Sequence, residues 1–243
     1  MARHVSLDEN IQLHRVFRTL TVEIPEKRLT RKLLAIDAKI AEFRHGSAAS
    51  RMSDVSEACA AEIQRLEGKW ASIHAERQRL RDVTLQDDVL FARSIDKTAL
   101  FDVYERLGYP KTLSEIEDVI WEVNDGLNGT IAWDEYSRSF ERCKADKTCL
   151  EPSDLFHLTC FLMYDRDCTG KVSMDDAMHI LFLKHGNNME DEMEALFGKS
   201  NSDDYVATLS FQKYAEAVNK RRNDIIDNSG LSTRLPGKKT KAK

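Results

Sequence analysis

The sequence has few of the residues that interrupt helices, only 4 prolines and 10 glycines in 243 residues. So sparse a set of breakers predicts a mostly helical chain. It also lacks long apolar runs: none reaches the roughly 20 residues that span a bilayer. The opening "MARHVSLDEN" has no apolar stretch of the kind found in secretory signals. The 5 cysteines are odd in number and show no paired spacing, and "CKADKTC" is too wide for a zinc knuckle and has no second ligand pair. Free thiols in a reducing, cytoplasmic setting are the expectation. GxxxxGK[ST], GxSxG and HExxH are all missing, so the sequence gives no sign of an enzyme.

Charge of one sign is scarce in the middle of the chain. Residues 1–90 are nearly balanced at +1, residues 91–218 carry −12 and residues 219–243 carry +6, which together make the net −5. The tail "NKRRNDIIDNSGLSTRLPGKKTKAK" fits an acidic surface such as anionic lipid, nucleic acid or the acidic C-terminal segments of tubulin. It reads equally well as a solvated, disordered segment, or as one that folds back on the acidic middle. No aromatic residue interleaves the lysines, which argues against a nucleic-acid reader.

In the N-terminal third, "SLDE" at 6–9 is a capping box, and a short helix is expected through "NIQLHRVFRTL". Pro25 then suits the first turn of a second helix. Leu29, Leu33, Ile36, Ile40 and Phe43 step by 4-3-4-3, an apolar seam with charged flanks. "HGSAAS" at 45–50 interrupts it, and it resumes with Cys59, Ile63, Leu66, Trp70 and Ile73 and on to Leu80. Each run is too short to establish a coiled coil by itself. Three arrangements stay open: an antiparallel hairpin turned at Gly46–Ser50, a rod along a partner, or helices packed on the following domain. No catalytic constellation lies here, and the third is read as an interaction element.

The motif with most chemistry is "YDRDCTGKVSMDD" at 164–176. With Asp165 as position 1, Asp167 falls at 3, Thr169 at 5, Gly170 at 6, Lys171 at 7, Ser173 at 9 and Asp176 at 12. A hard cation wants six to eight oxygens gathered from one short loop turned sharply at a glycine. Lys171 contributes its backbone carbonyl, so its side chain does not disqualify it. Apolar residues at helical spacing precede the loop in "DLFHLTCFLMY" and follow it in "AMHILFLKHG". The pattern of an EF-hand loop is met except at positions 5 and 12.

"YERLGYPKTLSEIEDVIWEVNDGLNGTIAWDEYSRSF" at 104–140 resembles the second hand of calmodulin and troponin C, through its "LG", "SEIEDVI", "NGTI" and "DEY". Asn124, Gly126, Asn128, Thr130 and Glu135 take positions 1, 3, 5, 7 and 12. "SIDKTALFDVYERLG" resembles the exit half of a first hand, with Ile95 at position 8. Its loop has Leu90, Ala92 and Arg93 where ligands and the glycine belong. "MEALFGKSNSDDYVATLSFQKYAEAV" resembles a fourth hand, with Leu209 at position 8 and Lys213 at 12. The resemblance is to the EF-hand superfamily and covers about 85–218.

What it implies is an all-α fold: a helical, coiled-coil-like arm at 1–84, an N-terminal lobe at 85–142, a C-terminal lobe at 143–218 and a basic tail at 219–243. Hands pair because each short loop strand needs a partner, so hands one and four are read as non-binding halves of two lobes. The expected cation ligands are Asp165, Asp167, Thr169, Lys171, Ser173 and Asp176. Aspartate at position 12 is one methylene short for bidentate contact, which favours weak Ca²⁺ or Mg²⁺ binding and no obligatory cofactor. The second loop has neutral amides at positions 1 and 5, and little binding is expected there.

His157 and Cys160, three apart, can ligate a metal together but lack a second pair and read as helix-face residues. Met163, Met178, Met189 and Met193 resemble the soft grooves of calmodulin-like lobes, and the first two are core by spacing. Trp121 and Trp133 bracket the second loop, with Trp133 read as covering core. Arm, lobes and tail together resemble axonemal and cytoskeletal EF-hand proteins of dynein-docking and doublet-microtubule type. Expected partners are proteins held by the arm and lobes, and a tubulin-like acidic filament held by the tail, with no membrane span. The alternative is a soluble calmodulin-like calcium sensor that cycles on and off target helices.

Overall fold

The structure is a computed structural model that describes residues 5–49, 53–83, 87–146, 151–185 and 208–228. It is mostly helical, with four very short strands among the described residues. No described helix is long and apolar enough to cross a membrane. The chain divides into two compact units. One holds Leu7–Tyr104 and Lys111–Tyr136; the other holds residues 5 and 6, Glu105–Pro110 and the described residues from Ser137 on.

In the first unit, α1 (Leu7–Arg18) begins directly after Ser6, the expected cap residue. It does not stop before Pro25, as the sequence predicts. It widens into a π-helical turn (Thr19–Glu23) and runs on as α2 (Ile24–Ala49). The cause is covalent. Pro25 has no N–H, so the Thr21 carbonyl lacks its usual donor four residues on. The Ile24 N–H bonds back to the Thr19 carbonyl, five residues away, and Arg93 Nη1 donates to the stranded Thr21 carbonyl at 3.0 Å. One insertion from a distant loop thus lets a helix pass through a proline.

α1 buries its apolar face inside this unit. Leu13, Val16, Phe17 and Leu20 are buried, and the Trp133 ring lies 4.4 Å from His14 and 5.2 Å from Phe17 between centroids. Trp133 also meets Phe91 and Tyr136, the core-covering role expected of it. Trp121 is half exposed.

α2 packs along α3 (Ser53–Val83). Glu26 pairs with Arg81 and Arg44 with Glu67, so the two helices run antiparallel. The hairpin is therefore found, and so is packing on the segment that follows, since Arg28 of α2 pairs with Asp102 and Arg93 reaches the Thr21 carbonyl. The turn expected at Gly46–Ser50 is not there, because the "HGSAAS" segment stays helical as far as Ala49; residues 50–52 lie outside the described residues. Leu29, Leu33 and Ile40 on α2 and Leu66 and Leu80 on α3 are buried, while Leu34, off the seam, is exposed. The 4-3 spacing marks the faces that the two helices give each other.

After α3 come α4 (Asp87–Phe91), β1 (Ser94–Ile95), α5 (Lys97–Arg106), α6 (Leu113–Trp121), β2 (Ile131–Ala132) and α7 (Trp133–Ala145). α6 starts at a full capping box, with the Thr112 hydroxyl and Glu115 exchanging hydrogen bonds with each other's backbone N–H. β1 and β2 pair antiparallel, Ile95 opposite Ile131.

The second unit contains α8 (Asp154–Leu162), β3 (Lys171–Ser173), α9 (Met174–His185), β4 (Thr208–Ser210) and α10 (Phe211–Asn228). β3 and β4 pair antiparallel, with Val172 opposite Leu209. Its core is aromatic: Phe161 lies against Phe211 and Tyr214, Phe140 against Phe156, and Tyr109 against Phe211. Met163 is buried and Met178 half-buried. Met189, Met193, Cys149, the segment 193–207 and the tail from 229 on lie outside the described residues. Cys59, Cys143, Cys160 and Cys168 are not in disulfides.

Candidate functional site

The 165–176 loop is built on two backbone requirements. Gly170 has φ +78°, and a Cβ there would stand 2.7 Å from the Leu107 carbonyl oxygen. Only glycine meets both demands. Val172 then enters the β3–β4 ladder, and the Gly170 carbonyl accepts the Phe211 N–H at 3.0 Å. The expected position-8 pairing is thus made by two apolar residues, with the ligand-type side chains to either side of it.

Asp165 is 4% exposed. Its Oδ1 accepts the Thr169 N–H at 2.8 Å and the Thr169 hydroxyl at 2.9 Å, and its Oδ2 accepts the Gly170 N–H at 2.7 Å. The Thr169 hydroxyl also lies 3.3 Å from the Lys171 carbonyl. A carboxylate, a hydroxyl and a carbonyl, from positions 1, 5 and 7, therefore meet within hydrogen-bonding reach of one another. Ser173 and Asp176 form a second group. The Ser173 hydroxyl donates to Asp176 Oδ2 at 2.8 Å and accepts the Asp176 N–H at 3.1 Å. This is a capping arrangement for α9, and it occupies the short position-12 carboxylate. Asp167 is exposed, and its carbonyl lies 3.4 Å from Arg106 Nη2. Every side chain and carbonyl gathered here offers oxygen, the donor type that a hard divalent cation takes. Among the described residues, no three His, Cys, Asp or Glu side chains gather at one point.

The 124–135 loop resolves the same geometry differently. Gly129 makes the turn at φ +76° in open space. Asn124 is 3% exposed, and its amide Nδ2 donates to Asn128 Oδ1 at 2.7 Å and to the Thr130 carbonyl. Its Oδ1 accepts the Asn128 N–H at 3.1 Å. Glu135 accepts the Gly126 N–H on Oε1 and the Ala132 N–H on Oε2, both at 2.9 Å. The oxygens of positions 1, 5, 7 and 12 are all engaged by N–H groups, and an NH₂ faces two of the oxygens that a cation would use. This donor set does not fit a cation as it stands.

The 88–99 and 208–213 segments show what remains of a loop without ligands. Asp96 Oδ1 accepts the Ala99 N–H at 2.7 Å, and Ser210 Oγ accepts the Lys213 N–H at 3.2 Å. Both cap the following helix, and Lys213 itself is exposed. His157 Nδ1 lies 2.7 Å from the Tyr214 hydroxyl, so this imidazole is engaged in the core beside buried Cys160. Burial pushes the Tyr214 hydroxyl well above its ordinary pKa of 10, and Cys160 adds to the effect.

Sequence reasoning did not find the convergence of Arg28, Arg79 and Arg93 on one cavity of the first unit. The three stand on different segments, and no local pattern joins them. The Asn124 role had a signal in the sequence: a neutral amide at position 1 supplies donors where a carboxylate has none. No family model matches the chain, and no curated protein matches it.

Proposed function

We propose that this is a non-enzymatic EF-hand protein that makes lasting protein–protein contacts in a cytoskeletal assembly of axonemal type. Its cation response is confined to the 165–176 loop and is weak. The observation that supports this most is the pairing of unlike loops. Ile95 joins a loop without ligands to the 124–135 loop, and Leu209 joins another to the 165–176 loop. In each pair the apolar ladder, rather than an ion, links the two halves. An antiparallel hairpin that buries Leu29, Leu33, Ile40, Leu66 and Leu80 supports a fixed structural element more than a helix that docks and leaves.

In this reading Asp165, Asp167, Thr169, Ser173, Asp176 and the Lys171 carbonyl would hold the cation. Ca²⁺ or Mg²⁺ there would supply local charge neutralisation and no chemistry. The Lys-rich tail at 229–243 adds an electrostatic contact to an acidic filament surface such as tubulin.

Co-sedimentation of the full chain with doublet microtubules, in EDTA and in calcium, tests the proposal. Binding in both is expected, weakened by salt when residues 230–243 are removed. Binding in calcium alone contradicts it and favours the calcium-sensor alternative. Paired Leu33→Asp and Ile40→Asp changes, which open the hairpin seam, are expected to abolish binding at any salt.

A further inference from the structure

α2 and α3 give each other one face, and another face of α3 is left to solvent. Along it Ala61, Gln64, Gly68, Ala71, Ala75 and Gln78 step by 3-4-3-4-3, and all six are exposed. This is a second heptad stripe, offset from the one that buries Leu66 and Leu80. None of the six is charged, although charged residues make up 32% of the chain. The outer face of a helix is where charge normally collects, and its depletion is what sets the centre of a protein interface apart from the rest of a surface.

Gly68 sharpens the point. It stands at the midpoint of α3, in a helix interior, where glycine is the poorest residue after proline. A Cβ there would meet nothing within 4 Å, so nothing in the fold itself demands its small size. A second helix lying across it would. Small side chains at the contact bring two helix axes to about 8 Å, the near end of the usual range.

The charge on either side of Gly68 says which helix suits it. Residues 53–67 carry −3 and residues 69–83 carry +2. Two copies of α3 laid antiparallel set the acidic half of each against the basic half of the other, whereas parallel copies set like on like. The antiparallel arrangement also matches the stripe to itself in size. With Gly68 opposite Ala71 of the second copy, Ala75 falls opposite Gln64 and Gln78 opposite Ala61. We propose that α3 is a dimerisation helix, and that two copies of this chain associate antiparallel through the stripe, about a two-fold axis beside Gly68.

Sedimentation equilibrium of the full chain tests the proposal. A reversible dimer is expected; a monomer at every concentration overturns the proposal and leaves the face to a helix of another protein. Gly68→Leu is expected to weaken the dimer about tenfold or more, because the side chain does not fit between axes so close. In dilute, monomeric solution the same change is expected to raise the thermal midpoint, since leucine is the better helix former, so lost folding cannot account for the weakened dimer. Unchanged dimer affinity in Gly68→Leu overturns the proposal. Oxidative cross-linking reads the direction. Gly68→Cys is expected to give a disulfide joining the two copies at position 68, identified by mass spectrometry of the unreduced peptides. Gln78→Cys is expected to give none at position 78: at 1.5 Å per residue it stands about 25 Å from its counterpart, and a disulfide needs Cα atoms within about 7 Å. Cross-links at both positions, or at position 78 alone, overturn the antiparallel assignment.

Discussion

The 124–135 and 165–176 loops turn at a glycine in the same left-handed conformation, feed an apolar residue into an antiparallel ladder and end at an acid in the first turn of a helix. They differ at the first position. Asn124 brings an NH₂ into the centre of its loop and ties down Asn128 and the Thr130 carbonyl. Asp165 brings only oxygen and is itself tied down by N–H groups from Thr169 and Gly170. One loop carries its own internal amide donor; the other has a carboxylate at its first position and no side-chain donor of that kind there. A loop can therefore keep its shape without its ion when an amide donor replaces the ion's attraction for the surrounding oxygens.

The largest effect that sharpens this comparison comes from the two turning glycines. Gly170→Ala combines a positive φ with a Cβ 2.7 Å from a backbone oxygen. A loss of about 3 kcal/mol or more is expected. Gly129→Ala meets nothing within 4 Å and should cost only about 1 kcal/mol, the left-handed penalty alone. Urea unfolding of the two variants measures the difference. Equal costs would mean that the 165–176 loop can move away from Leu107.

Asn124→Asp attacks the difference between the loops directly. It removes the NH₂ and leaves a carboxylate facing the oxygens of Asn128 and Thr130. Stability in EDTA should fall by about 1–2 kcal/mol, and millimolar Ca²⁺ should restore it, since binding to the folded state stabilises by mass action. Thermal melts with and without Ca²⁺ check this. A variant that loses stability and gains nothing from Ca²⁺ would show that Glu135 cannot leave its two backbone donors.

Asp176→Glu lengthens the position-12 carboxylate of the other loop. Ca²⁺ affinity should rise by about 1–2 kcal/mol and Mg²⁺ affinity should rise less, read by competition titration. Unchanged Ca²⁺ affinity would mean that the Ser173 cap, not side-chain length, limits the site.

The smallest effect distinguishes the unit that carries the 165–176 loop. Tyr214 has a raised pKa in the fold, so the folded state holds its proton more tightly than the unfolded chain. Its contribution to stability is present below about pH 10 and is lost as pH rises above that value. Tyr214→Phe should remove this alkaline loss at a cost of about 1 kcal/mol near neutrality, from the bond to His157. Unfolding midpoints across alkaline pH test it.

Much of this was legible in the sequence, because spacing carries it. Gly170, Val172 and Leu209 could be placed because one turn and one apolar pair recur at fixed offsets. The buried seam residues Leu29, Leu33, Ile40, Leu66 and Leu80 were marked by period alone. The passage through Pro25 was not legible, because it depends on Arg93, far along the chain, reaching the Thr21 carbonyl. Nor was the direction of Asn124. Its amide can present either oxygen or nitrogen, and only its neighbours choose between them. The ligand role of Asp176 is tempered for a similar reason. The same carboxylate that could reach a cation also serves to cap α9 through Ser173.

In the proposed function, cation binding belongs to the 165–176 loop and to no other. Calorimetric titration of the full chain with Ca²⁺, beside its Asp165→Ala variant, tests this most directly. One site with a dissociation constant on the order of 10⁻⁵–10⁻³ M is expected, absent in the variant. Two sites, or one that survives Asp165→Ala, would contradict it.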